Sequence, residues 1–170
     1  LPVIPGHEFS GEVIEVGKAV NELNTGDRVT VRPGGGRGGF QDYVSVPARN
    51  VYKIGDLTYD EGALIEPLAC VVNGIDTAGV HLGDEVLVMG SGTIGLLLVQ
   101  VAKLCGAQSV AVADTVEEKL VKAQALGADE VFVAGGDLKE QLLDTHPKGF
   151  HLTIDATGNP KAQEQLPGFT

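Results

Sequence analysis

Three glycines and an aspartate in the second half of the chain have the spacing of a dinucleotide-binding loop. Apolar residues 86–89 lead into Gly90-x-Gly92-x-x-Gly95, and Asp114 ends a second apolar segment. Such glycines allow a tight turn, a close approach of the backbone to a pyrophosphate, and close packing of a helix on a strand. A carboxylate about 20 residues further on can accept hydrogen bonds from ribose hydroxyls. The pattern predicts dinucleotide binding; a strand, turn and helix that bind nothing is the structural alternative.

The acidic residue also predicts which nicotinamide cofactor is preferred. A carboxylate at Asp114 repels the 2′-phosphate of NADP, whereas NADP sites usually have an arginine nearby. Residues 115–119 contain no arginine and include Glu117 and Glu118. The sequence therefore favours NAD.

Composition limits the possible partners and the compartment. The chain has 170 residues, is 43% hydrophobic and has a net charge of −11, enough for one or two small domains with a real core. This acidity argues against nucleic acid or an anionic membrane as a partner, and no apolar run approaches the length of a membrane span. Cys70 and Cys105 lie among apolar residues without framework spacing, so we expect buried thiols in a reducing, cytoplasmic compartment.

The first part of the chain is predicted to be β-rich and to lead into a helix. Strands are expected at residues 9–16, 27–31, 42–46 and 51–54, with a glycine-rich segment at 33–39. Thr58 and Glu61 form a capping-box pattern that begins a helix extending towards Ala69. Pro67 lies inside this helix and is expected to kink it or split it in two.

From His81 onward the pattern changes to alternating strands and helices. We predict strands at 85–89, 109–113, 130–133 and 151–155, and helices at 93–104, 117–126 and 138–143. This alternation predicts an α/β fold with a doubly wound parallel sheet. A helix starts again near Asn159 but does not continue past Gln165, so the sheet is expected to lack its second half.

Two shorter motifs contain groups that could bind a metal. Gly6-His7-Glu8 lies just before the first strand, and Glu66 begins a Glu-Pro-Leu-Ala-Cys motif. A histidine beside a glutamate is more often a solvated or capping pair than a metal site. Glu66 lies in an apolar run where a carboxylate needs a partner, and a hydrogen-bonded helix glutamate is the alternative interpretation.

Together these motifs resemble the medium-chain dehydrogenase/reductase superfamily, in particular its zinc-dependent, sorbitol-dehydrogenase-like polyol branch. The resemblance runs nearly from end to end, in order and with similar spacing. It is carried by Gly-His-Glu-Phe-Ser-Gly-Glu-Val (6–13), Gly-Asp-Arg-Val (26–29), Gly-Gly-Phe-Gln-Asp-Tyr-Val-Ser-Val-Pro (38–47), Glu-Pro-Leu-Ala-Cys (66–70), Gly-Ser-Gly-Thr-Ile-Gly (90–95) and Asp-Ala-Thr-Gly (155–158).

The resemblance implies an N-terminal GroES-like, β-rich catalytic domain at residues 1–78 and a partial Rossmann NAD-binding domain at 79–170. His7 matches the zinc-ligating histidine, and Glu8 the acid that binds or supports that zinc. Glu66 matches a position that is glutamate in polyol enzymes and cysteine in liver-type alcohol dehydrogenases, and all three are expected to be catalytic. The expected cofactor contacts are Gly90, Gly92, Thr93, Ile94, Gly95, Asp114, Lys119 and Thr157.

The implied activity is NAD-dependent oxidation of a polyol or other secondary alcohol to a ketone, in a homodimer or homotetramer with a small-molecule substrate. Zinc would acidify the substrate hydroxyl, and hydride would pass to the nicotinamide. Two alternatives stay open: a zinc-free, quinone-reductase-like oxidoreductase, and a non-catalytic nucleotide-binding module.

The chain also departs from the family pattern. The family's first zinc ligand is a cysteine well upstream of His7, and a four-cysteine lobe for a structural zinc is expected between Val31 and Gly38, where the chain has no cysteine. We therefore expect one catalytic zinc and no structural zinc. With this ligand and half of the nicotinamide pocket absent, little or no turnover is expected from these 170 residues alone.

Overall fold

The computed structural model describes residues 3–32 and 38–170 and divides into two compact units, 1–70 and 71–170. The division falls within one long helix. The predicted glycine-rich segment lies mostly outside the described residues, because 33–37 are not among them.

The first unit contains a small antiparallel sheet of strands β1 (Ser10–Glu12), β2 (Arg28–Val31) and β3 (Val51–Lys53), in the order β1-β2-β3. β1 is shorter than the predicted strand at 9–16. The N–H of Val13 still donates to the Asp27 carbonyl at 2.9 Å, but the chain beyond it is largely exposed. The β-rich character of this part of the chain is therefore correct, and the length of its first strand is wrong.

The strand predicted at residues 42–46 does not form. The alternation that suggested it is real, because Val44 and Val46 are half-buried between exposed neighbours. The preceding residues, however, give their N–H groups to another segment: Gly39 donates to the Gly6 carbonyl at 2.8 Å. A 3₁₀ turn, Ala48–Asn50, follows. Alternating burial alone thus produced a false strand prediction.

Helix α1 (Tyr59–Ala78) begins with the predicted capping box and continues through Pro67. The N–H of Thr58 donates to Glu61 Oε2 at 2.7 Å, and the N–H of Glu61 donates to Thr58 Oγ1 at 3.2 Å. Pro67 does not split the helix, which continues past Ala69 to Ala78. The Pro67 side chain is fully buried, and this packing offsets the backbone hydrogen bond that proline cannot make.

The second unit has the predicted parallel sheet. Its strands are β4 (Glu85–Met89), β5 (Ser109–Asp114), β6 (Glu130–Val133) and β7 (Leu152–Asp155), in the order β6-β5-β4-β7. The helices are α2 (Thr93–Leu104), α3 (Glu117–Ala125), α4 (Leu138–Thr145) and the short α5 (Pro160–Gln163), followed by a 3₁₀ turn at Leu166–Gly168.

Alternate residues of the central strands supply two separate cores. Val86 and Val88 pack with Leu98 and Val99 of α2. Leu87 packs in the other core, with residues of α4 and the chain end. A strand covered on both faces is apolar throughout, which explains why β4 and β5 read as continuous hydrophobic runs.

Both cysteines are exposed, so their predicted burial is wrong. Cys105 caps the C-terminal end of α2 rather than continuing its buried face. Cys70 lies next to Val71, which is 2% exposed, but neighbouring helix positions point in different directions. None of the helices in the described ranges combines the length and hydrophobicity needed to cross a bilayer.

Candidate functional site

The first candidate site is the loop between β4 and α2. Gly90 has a φ of 99°, and its N–H donates to the Ala113 carbonyl at 2.7 Å. A Cβ at this position would lie 2.9 Å from the Ala156 carbonyl oxygen. Both the left-handed backbone and the close approach of the chain after β7 therefore require glycine here.

The other two loop glycines, Gly92 and Gly95, differ in the space around them. A Cβ at Gly95 would lie 1.9 Å from the Gly90 carbonyl oxygen, whereas a Cβ at Gly92 would have nothing within 4 Å. Gly92 is exposed and has an ordinary φ of −72°. Gly90 and Gly95 are thus needed by the fold, and Gly92 leaves open space in front of the loop.

This open space lies at the N-terminus of a twelve-residue helix. Gly92 is the N-cap of α2, no side chain caps the helix, and Thr93 and Ile94 are exposed in its first turn. The first N–H groups of a helix have no partner within it and lie at the positive end of its dipole. The loop can therefore receive a phosphate or pyrophosphate on backbone N–H groups.

Asp114 ends β5 beside this loop, and both of its carboxylate oxygens accept hydrogen bonds. Oδ2 accepts from the Ser91 N–H at 2.7 Å and from the Ser91 hydroxyl at 2.9 Å, and Oδ1 accepts from the Val116 N–H at 2.9 Å. Partial burial raises the pKa of Asp114, but these donors and the charge of Lys119 outweigh it, so the pKa is below its usual value. Asp114 is thus held as a carboxylate at the loop.

The remaining predicted cofactor contacts belong to the same unit. Lys119, in the first turn of α3, is exposed and close enough to Asp114 to affect its ionisation. Thr157 follows β7 beside Gly90, where its Cγ2 would lie 3.1 Å from an added Cβ. The Thr157 hydroxyl donates to Asp155 Oδ1 at 2.6 Å. The structure thus brings Gly90 together with Thr157, and Lys119 close to Asp114.

The second candidate site is a cluster of His7, Glu8 and Glu66 in the first unit. One ligand atom from each residue lies within 4.8 Å of the other two. His7 and Glu8 have side chains that are 70% and 50% exposed, with His7 Nε2 4.0 Å from Glu8 Oε1, and Glu66 is half-buried. The fold therefore brings together three residues that lie in two distant segments of the sequence.

Close backbone packing holds the segment that carries the first two of these residues. Gly6 has a φ of 92°, and a Cβ there would lie 3.0 Å from the Phe40 ring. The N–H of Gly39 donates to the Gly6 carbonyl at 2.8 Å. A Cβ at Gly38 would lie 2.0 Å from the Pro5 carbonyl oxygen. The Gly-Gly-Phe motif is thus needed to pack against this segment.

Helix α1 is attached to the same region by its first turns. The Ser10 hydroxyl donates to the Tyr59 carbonyl at 2.5 Å. A Cβ at Gly62 would lie 2.7 Å from the Ile54 side chain and 3.0 Å from Ser10 Cβ. Glycine at this position lets the helix approach β1, which follows Glu8 in the chain. This contact accounts for the approach of Glu66 to His7.

The donor set suits zinc. One imidazole nitrogen and carboxylate oxygens are common zinc ligands, and catalytic sites use three protein ligands and keep a fourth position open. In tetrahedral zinc sites donor atoms are roughly 3.4 Å apart, so the three side chains would have to close by about an ångström. Two of the three are largely exposed, and they can move without repacking a core.

Sequence reasoning missed one residue of the nucleotide loop. Ser91 occupies a variable position of the glycine pattern, yet its side chain is 2% exposed and hydrogen-bonded to Asp114. The glycine pattern allows any residue between its first two glycines. It therefore gives no role to the hydroxyl of Ser91. The two residues lie at the ends of the paired strands β4 and β5, where the Gly90 N–H donates to the Ala113 carbonyl at 2.7 Å.

Comparison with known proteins identifies both parts of the chain. The family described as "Alcohol dehydrogenase GroES-like domain" matches residues 1–56, and the family described as "Zinc-binding dehydrogenase" matches residues 93–169. The first match contains His7 and Glu8, and the second contains Asp114 and the end of the nucleotide loop from Thr93 onward.

Individual relatives agree with these matches. (R,R)-butanediol dehydrogenase of Bacillus subtilis is 34% identical over 96% of this chain and 54% of its own length. Sorbitol dehydrogenase of Gallus gallus is 39% identical over 92% of this chain and 53% of its own length. The chain thus spans about half the length of the curated relatives it matches.

A solved structure extends the agreement to the fold. A protein from Sinorhizobium meliloti 1021, described as a zinc-binding dehydrogenase and bound to NADP, superposes with a TM-score of 0.89 at 31% identity. The match covers 99% of this chain and 58% of that chain. The resemblance inferred from the motifs is confirmed: the chain belongs to the zinc-dependent alcohol dehydrogenase family, with similarity to its polyol dehydrogenases.

Proposed function

We propose that the protein is an NAD-dependent zinc alcohol dehydrogenase that oxidises a polyol or another secondary alcohol to the ketone. The observation that carries this proposal is the convergence of His7, Glu8 and Glu66 within 4.8 Å. A nucleotide-binding module alone has no need of such a cluster. Relatives named as butanediol and sorbitol dehydrogenases support the substrate class.

Each unit has a role in this function. His7, Glu8 and Glu66 would hold the zinc, and the chemistry that zinc supplies at such a site is Lewis acidity, which makes an alcohol hydroxyl more acidic. The loop from Gly90 to Gly95 would bind the pyrophosphate through backbone N–H groups. Asp114 would accept hydrogen bonds from the ribose hydroxyls, and Lys119 and Thr157 would lie next to the bound nucleotide. The reaction transfers hydride from the alcohol carbon to the nicotinamide.

These roles correspond to two domains in the sequence. We assign residues 1–78, up to the end of α1, to the catalytic domain and residues 79–170 to the nucleotide-binding domain. A cytoplasmic, homo-oligomeric protein with a small-molecule substrate fits this class. Free thiols at both cysteines support a reducing compartment.

The choice of NAD is tested by Asp114→Ser. The unsubstituted chain should bind NAD more tightly than NADP, and the substitution should reduce this preference at least about tenfold. It removes both a charge that repels the 2′-phosphate and an acceptor for ribose hydroxyls. Calorimetric titration with each nucleotide measures the two affinities. Asp129→Ser, at an acid that instead pairs with Lys103 at 3.0 Å, is the control.

The activity is tested on the full-length protein that contains this sequence. Polyols and simple secondary alcohols are incubated with NAD, and reduced nicotinamide is followed by its absorbance. Oxidation should require zinc and should be lost in His7→Ala. Full activity in a zinc-free preparation would instead favour the zinc-free reductase class. Nucleotide binding without any oxidation of these alcohols would favour the non-catalytic module.

A further inference from the structure

Ser91 combines burial with two hydrogen bonds to one oxygen of Asp114. Its side chain is 2% exposed, its N–H lies 2.7 Å from Oδ2, and its hydroxyl lies 2.9 Å from the same oxygen. A buried hydroxyl could in principle bond to any nearby carbonyl. Here it adds a second donor to a carboxylate oxygen that the backbone already holds.

The two oxygens of Asp114 are consequently not equivalent. Each carboxylate oxygen can accept about two hydrogen bonds. Oδ2 already accepts two from Ser91, whereas Oδ1 accepts one, from the Val116 N–H. Oδ1 therefore has the larger remaining capacity for an incoming hydroxyl. The Ser91 hydroxyl fixes which edge of the carboxylate is left for a ligand.

Loss of the hydroxyl would not release the carboxylate completely. The N–H groups of Ser91 and Val116 would remain, so Asp114 would keep its place in the chain but lose one of three donors. A hydrogen bond to a charged group contributes more than one between neutral groups. The expected consequence is a carboxylate with more rotational freedom and a less sharply placed charge.

We propose that Ser91 is a positioning residue for cofactor specificity: its hydroxyl orients Asp114 so that the carboxylate accepts the adenosine ribose hydroxyls and repels a 2′-phosphate. This inference rests on the proposed nucleotide function. It adds a determinant at a variable position of the glycine pattern, outside the residues expected to contact the cofactor.

The test measures the dissociation constants of NAD and NADP by calorimetry, and it compares the ratio of the NADP constant to the NAD constant. Ser91→Ala should lower this ratio about fivefold, because one charge-assisted hydrogen bond is lost while the backbone donors remain. Simple damage to the fold would weaken both nucleotides alike and leave the ratio unchanged. Circular dichroism melting checks that each variant is folded.

Ser109→Ala is a matched control. Ser109 begins β5, the strand that ends at Asp114, and its Oγ is the one buried side-chain oxygen or nitrogen in the described residues without a hydrogen-bond partner. The same substitution therefore removes a buried hydroxyl from the strand that ends at Asp114 without removing a bond to Asp114. It should change the ratio by less than about twofold.

A double-substitution cycle tests whether Ser91 acts through Asp114. In an Asp114→Ala background, Ser91→Ala should change the ratio by less than about twofold, because residues that act through one contact are not additive. An undiminished Ser91 effect in that background would overturn the inference. So would a Ser91→Ala ratio equal to that of Ser109→Ala. These results would leave the proposed function standing if NAD still binds.

Two results would reach further. If the unsubstituted chain binds neither nucleotide, both the proposed function and the role of Ser91 fail. If it binds NADP more tightly than NAD, the assignment of Asp114 as a discriminator fails, and the inference about Ser91 fails with it.

Discussion

The nucleotide loop and the metal-ligand cluster are built in opposite ways. In the loop, Asp114 is partly buried and accepts three hydrogen bonds, two of them from backbone N–H groups. In the cluster, the side chains of His7 and Glu8 are 70% and 50% exposed, and His7 Nε2 lies 4.0 Å from Glu8 Oε1. Hydrogen bonds within the chain thus hold Asp114 at the loop, whereas the ligand atoms of the cluster are spread over as much as 4.8 Å.

The difference follows from what each site recognises. A pyrophosphate is bound by many weak N–H donors, and these must be aligned in advance by the turn and the helix. A metal ion forms short bonds that are strong enough to order exposed side chains. The loop should consequently be sensitive to changes in backbone space, and the cluster to changes in donor chemistry.

Gly95→Ala should have the largest effect. The new Cβ would lie 1.9 Å from the Gly90 carbonyl oxygen, and neither backbone segment can move without disturbing β4 or α2. We expect a loss of about 2–4 kcal/mol in the free energy of unfolding, measured by denaturant titration. If Gly95→Ala were as stable as the unsubstituted chain, the loop would have room for a side chain at this position, and its tight packing would not be needed for folding.

Gly92→Val should separate binding from folding in the same loop. A Cβ here has no neighbour within 4 Å and the backbone is in an ordinary region, so the unfolding free energy should fall by less than about 1 kcal/mol. The side chain would nevertheless fill the space that a pyrophosphate needs, and NAD affinity should fall roughly a hundredfold. An unchanged dissociation constant would remove Gly92 from the proposed contact surface.

His7→Ala should have a smaller effect, confined to metal binding. Three donors from this chain should bind zinc weakly, with at most one ion per chain, and removal of the imidazole should weaken binding at least about tenfold. Folding should be unaffected because the side chain is 70% exposed. Zinc titration with a competing chromophoric chelator measures the affinity.

The control for this prediction is His81→Ala. His81 is also exposed and lies 3.7 Å from Asp84, but it is not part of the cluster. Its substitution should leave zinc affinity unchanged. Equal losses in the two variants would point to non-specific binding by exposed histidines, and a second tightly bound zinc would contradict the single-site account.

The second unit could be predicted from the sequence because its signals are local. β4 and β6 have the predicted bounds, as does α2, and Gly127 takes the positive φ of a helix end. Buried parallel strands read as apolar runs, and the crossover helices separate them clearly. Once these strands and helices are placed in order, the glycine pattern must lie where β4 leads into α2, and Asp114 must lie at the end of β5.

The first unit was harder to predict because its structure depends on contacts between distant segments. Alternating residues at 42–46 gave no strand, since alternating burial alone does not make a segment a strand. The burial predicted for Cys70 was wrong because apolar neighbours in sequence do not share a helix face. The spacing of His7 and Glu66 contains no metal signal; the family resemblance suggested the cluster, and the packing of α1 on β1 accounts for it.

Hydrogen exchange of the chain with and without NAD tests the central claim, that a preformed loop in residues 71–170 binds the nucleotide. NAD should slow exchange at residues 90–95 and 114–119, with little change at residues 6–8. Protection confined to the loop and the Asp114 region, and weaker with NADP, is the predicted result. No protection in these two segments at saturating NAD, or protection concentrated elsewhere in the chain, would contradict the account.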